Sequence, residues 1–162
     1  MQNAKDTFYI TLRDRLAVLN PARTMTLRGL TRPGILVEDA ESPAAQISLD
    51  AFTLRWTKLE TDVQLPAILT QMICEIHYAT AGTQANSGLD RGRALEEMDD
   101  ELIQLLCPSS TIKCNYTQTP AQQMDTMIFW SQAVFSPAVA VRERMGRVAT
   151  VNVFAFQEQG EK

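Results

Sequence analysis

The residues able to do chemistry crowd into one stretch of this chain, positions 66–106. Its only histidine, His77, stands there two residues after Glu75. On a strand both side chains fall on one face, giving a carboxylate–imidazole pair of the kind used in acid–base catalysis. Further on come five carboxylates in six positions: Glu96, Glu97, Asp99, Asp100 and Glu101. Arg91 and Arg93 precede them in Asp90-Arg91-Gly92-Arg93 and could hold a small anion.

A catalytic dyad needs a nucleophile or a pocket, and no GxSxG, HExxH or Cys–His–Asn arrangement supplies one. Metal ligation needs convergent carboxylates. Consecutive helical residues fan out by about 100° each, so the acidic run diverges. The arginine loop lacks both GxxxxGK[ST] and GxGxxG, the glycine-rich cradles that wrap phosphate. Cys74, Cys107 and Cys114 show no CxxC or Cys/His ligand spacing, and three cannot all pair. Cys74 reads as a buried thiol in a chain assembled under reducing conditions. The residues call for no enzyme activity, metal or cofactor.

The elements that must position these groups follow from hydrophobic spacing. Phe8, Leu12, Leu16 and Leu19 predict an amphipathic helix over 4–19, with Asn3 as its cap and Asn20-Pro21 as its stop. Short β-rich pieces at 24–28 and 34–38 come next. A polar excursion at 39–50 follows. Phe52, Leu54 and Trp56 alternate with Thr53, Arg55 and Thr57, which predicts a strand ending at a turn over Glu60-Thr61-Asp62. In the long run that follows, even positions Ile68, Met72, Cys74, Ile76 and Tyr78 are apolar and odd positions Gln71, Glu75 and His77 are polar. That pattern gives a half-buried antiparallel strand.

The loop 81–88 lacks large apolar residues. Ser87 or Asp90 can cap the helix beyond it, where Leu95, Met98, Leu102 and Leu105 line the inner side and the carboxylates cover the rest. Later segments at 111–116, 127–135 and 148–156 read as strands. Ile112, Cys114 and Tyr116 form the apolar row of the first, and the aromatics Phe129, Trp130, Phe135, Phe154 and Phe156 of the others are assigned to core packing. The tail 157–162 should fray. The result is one α+β domain over 1–162: an antiparallel or mixed sheet, two helices packed on one face, and a closing β-hairpin.

Composition narrows the function. Hydrophobic residues at 45% with 21% charged describe a globular chain. A net charge of −4 and a pI near 5.0 weigh against specific nucleic-acid binding. The arginine groups 23, 28, 32 and 142, 144, 147 read as solvated loop faces. No apolar run reaches the ~20 residues of a membrane span, and MQNAKDTFYI has no secretion-signal pattern.

The order of these segments resembles the tail terminator (tail-completion) proteins of long-tailed bacteriophages. NAKDTFYITLRDRLAVLNP resembles their first helix, LPAILTQMICEIHYAT their central strand, DRGRALEEMDDELIQLL their second helix and VATVNVFAF their last strand. The resemblance implies a structural role in the virion tail or neck, with assembly in the host cytoplasm. Its partners would be copies of itself in a hexameric ring, the tail tube protein, and neck or head–tail connector proteins. It implies no catalytic residue. Arg91, Arg93, Glu96, Glu97, Asp100, Glu101, Arg142 and Arg144 are then the candidate subunit contacts, because complementary charges can guide a self-closing interface. Two other readings stand beside it: a different neck protein, and a ligand-binding or regulatory module.

Overall fold

Ala4, Phe8, Leu12 and Leu16 recur every four residues, and this stripe is the buried side of helix α1 (Gln2–Leu19). The computed structural model describes residues 1–41, 48–63, 68–158 and 161. The helix starts earlier than its expected cap. Met1 holds the cap position and Asn3 lies inside the first turn, its amide directed to Met124 Sδ. The helix ends at Asn20, because Pro21 disfavours helical backbone in the residue before it.

A small hairpin follows, β1 (Thr24–Leu27) and β2 (Leu30–Pro33), turned through Arg28 and Gly29 at positive φ. Strand β3 (Ile35–Val37) then enters the main sheet, and the short helix α2 (Glu38–Glu41) leaves it. Half of the expected excursion, 42–47, lies outside the described residues. So does the start of the expected long strand, since 64–67 are not described.

The main sheet runs β3-β4-β5-β10-β7-β6 and is mixed, because β3 lies parallel to β4 while the other pairs are antiparallel. Strand β4 (Phe52–Asp62) carries straight through Glu60-Thr61-Asp62. Those polar residues were expected to turn, but they pair in register with Gln71, Thr70 and Leu69 of β5 (Leu69–Thr80). Polar composition marks exposure here, since every β4 side chain beyond Trp56 faces solvent.

β5 keeps its predicted alternation. Its even residues from Thr70 to Thr80 are all buried, and its odd residues are half-exposed. It pairs along its length with β10 (Arg144–Phe156), whose buried row is Ala149, Val151, Val153 and Ala155. Helix α3 (Arg91–Leu105) and α1 cover these two rows, forming one core with Phe52, Leu54, Ile128 and Trp130. Phe8 meets Trp56 and Trp130 edge-on, at centroid distances of 5.8 and 5.3 Å. The fold is α+β, with both helices on one face of the sheet.

The late strands differ most from expectation. Strand β7 (Gln122–Trp130) begins ahead of the strand expected at 127–135 and stops before Ser131. Beyond that break, β8 (Val134–Phe135) and β9 (Val139–Val141) pair with β10, and β9 with β10 forms the closing hairpin.

Strand β6 (Ser110–Asn115) turns the opposite way from its predicted row. Lys113 is fully buried and Ile112 is exposed. The β6–β7 register shifts between Ile112 and Cys114, and this irregularity aims the lysine inward. Its Nζ donates to Phe156 O (2.6 Å) and to Glu161 Oε2 (2.7 Å), while Glu161 Oε1 accepts from the Met1 amine (3.1 Å). Glu158 accepts from Thr126 Oγ1 and N at 2.6 and 2.8 Å. The described part of the tail is therefore clasped; the expected fraying of 159, 160 and 162 lies outside the described residues.

Candidate subunit-contact site

The acidic helix decides which predicted contact residues are available. Leu95, Met98, Leu102 and Leu105 set its inward side, as their spacing predicts. Asp99 stands one turn beyond Leu95 and lies at the edge of that stripe, so it is buried. There its Oδ2 accepts from Arg147 Nη1 at 2.5 Å, and its Oδ1 accepts a short hydrogen bond from the Tyr78 hydroxyl. Burial raises the phenol's pKa, and the Asp99 hydrogen bond and charge raise it further. The pair ties α3 to β5 and β10. The sequence assigned Asp99 to the solvent side and Arg147 to a solvated loop; both belong to this cluster.

Glu101, another of the expected contact residues, is engaged within the protomer. Its two carboxylate oxygens accept a fork from Arg23, Nη2 at 2.9 Å with Nε closer still, and Oε1 also accepts from Asn20 Nδ2 at 2.7 Å. Arg23 Nη1 reaches on to Asp50 O at 3.1 Å. Glu101 thus joins α3 to the end of α1 and, through Arg23, to Asp50 before β4. Arg32 is engaged likewise by Glu41, both bonds being 2.7 Å, and the exposed Arg28 has no ion pair among the described residues.

Glu96, Glu97 and Asp100 do lie on the exposed side of α3, and Arg93 precedes them on the same side. None of the four has an ion-pair partner among the described residues. Arg91 is half-buried and donates from Nη1 to Arg142 O at 3.2 Å, which brings the β9–β10 turn beside the helix start. Arg142 takes φ of 55° in that turn, and Arg144 is half-buried next to it. The structure therefore brings Arg91 to the turn that holds Arg142 and Glu143, and leaves Arg93 exposed one turn before Glu96 and Glu97.

The loop before α3 is built around Asp90. This residue occupies the cap position, but its carboxylate turns back to accept from Thr83 N (2.9 Å), Thr83 Oγ1 (2.7 Å) and Asn86 Nδ2 (3.1 Å). The Thr83 side-chain bond, with the Thr83 amide and Asn86 after it, lowers the Asp90 pKa to about 2. A Cβ at Gly82 would stand 2.6 Å from Asp90 Oδ1, so this turn needs glycine.

His77 Nε2 and Glu75 Oε2 are 3.0 Å apart on the sheet face away from the helices, opposite Thr53 and Val148. No group of three or more His, Cys, Asp or Glu able to hold a metal occurs among the described residues. The cysteines are free. Burial pushes the Cys74 thiol far up in pKa, Cys114 is half-buried and Cys107 is exposed.

That same outer sheet face carries aromatics that the sequence assigned to the core. Phe129 lies opposite Phe154 in the register, 37% exposed, and the two rings stack at 5.1 Å. Met127 and Ile112, paired across β7 and β6, continue the row at 45% and 42% exposure. Val134, opposite Thr150, is 71% exposed. Single exposed hydrophobes are ordinary, but a contiguous apolar row marks an interaction surface. Strand alternation could have revealed it: Ile128 and Trp130 face the core, so Phe129 between them must face out.

The sequence matches no family model and no curated protein.

Proposed function

We propose that this protein is a self-assembling structural subunit of the tail-terminator kind, working as a ring that caps a tail tube and meets the neck. The observation that carries the reading is the outer sheet face. A sheet covered by helices on one side leaves Ile112, Met127, Phe129 and Phe154 as an apolar row on the other. Burying such a row stabilises association by about 25 cal/mol per Å² of apolar surface removed from water. The stacked phenylalanines are the kind of aromatic anchor that dominates protein interfaces.

The acidic run is divided around its helix, with Asp99 buried and Glu96, Glu97 and Asp100 facing out. The test is mass and tube binding. Light scattering should give a multiple of the 18.1 kDa chain, near six copies, and the protein should bind purified tail tubes at their ends. A protein that stays monomeric and ignores tubes defeats the reading. Phe129→Asp should abolish tube or ring binding while leaving the protomer folded.

A further inference from the structure

We draw no further inference here: the strongest candidate, the groove between the last turns of α1 and the segment after α3, walled by Val18, Leu19, Leu105 and Pro108, carries none, because Arg15 within it is already engaged by Leu105 O, Ser109 Oγ and the Trp130 ring, and nothing in the structure shows what covers it.

Discussion

The inner and outer carboxylates of α3 are neighbours in sequence and opposite in use. Asp99 and Glu101 accept hydrogen bonds from groups on four other parts of the fold: Tyr78, Arg147, Arg23 and Asn20. Glu96, Glu97 and Asp100, within the same six residues, accept none among the described residues. A helix presents a new direction every residue, so a run of identical charges is divided by geometry into groups that fix the fold and groups that face outward. Richness in charge at a sequence position therefore says little about whether that charge is spare.

The comparison breaks first at Asp99. Asp99→Ala leaves the Tyr78 hydroxyl and the largely buried Arg147 guanidinium without their acceptor, and urea unfolding should show a loss of about 3 kcal/mol. Next is Glu161→Gln, about 2 kcal/mol at neutral pH, because Lys113 is fully buried and loses its closest charged partner.

The same residue carries a pH signature. Burial works against the Glu161 carboxylate, but Lys113, the Glu158 amide and the Met1 amine outweigh it and lower its pKa from 4.5. Glu41 and Glu158 are lowered likewise, against burial, by Arg32 and by Thr126. Carboxylates with depressed values stabilise the fold while ionised. Their contribution is full above about 4.5 and is lost as the pH falls through the lower folded values. Stability should thus drop on acidification below that point, and Glu161→Gln should make the drop shallower; an unchanged acid limb would contradict the clasp.

Glu101→Gln is the third step, about 1 kcal/mol, since an amide oxygen still accepts one bond from the Arg23 fork but loses the charge. The smallest effect belongs to the outer side. Glu97→Gln should leave unfolding free energy within about 0.5 kcal/mol and act on association instead. If Glu97→Gln destabilised the protomer as much as Asp99→Ala, the division between the two sides of this helix would be wrong.

Much of the framework was legible in the chain. The period of Phe8, Leu12 and Leu16 located α1, the alternation through Met72 to Tyr78 located β5, and Leu95 to Leu105 located α3 and its inner side. Asp99 was within reach, because its place one turn from Leu95 puts it at the stripe's edge, and Tyr78 on a buried row needs a partner for its hydroxyl. The inward lysine was not. Reading Ile112, Cys114 and Tyr116 as the buried row was sound for an uninterrupted strand, and a register shift reversed it.

By itself, then, the sequence determined what short-range periodicity can encode: the helices, the central strand, the α+β class, and a carboxylate run spread around its helix. Tertiary structure decided which charges meet. Arg23 and Glu101 lie 78 positions apart, Lys113 and Glu161 lie 48 apart, and Arg147 and Asp99 also 48. A hydropathy pattern reports how each segment divides between core and solvent. It carries no term for distant partners, whose pairing exists only once sheet register and helix placement have brought them within hydrogen-bonding reach.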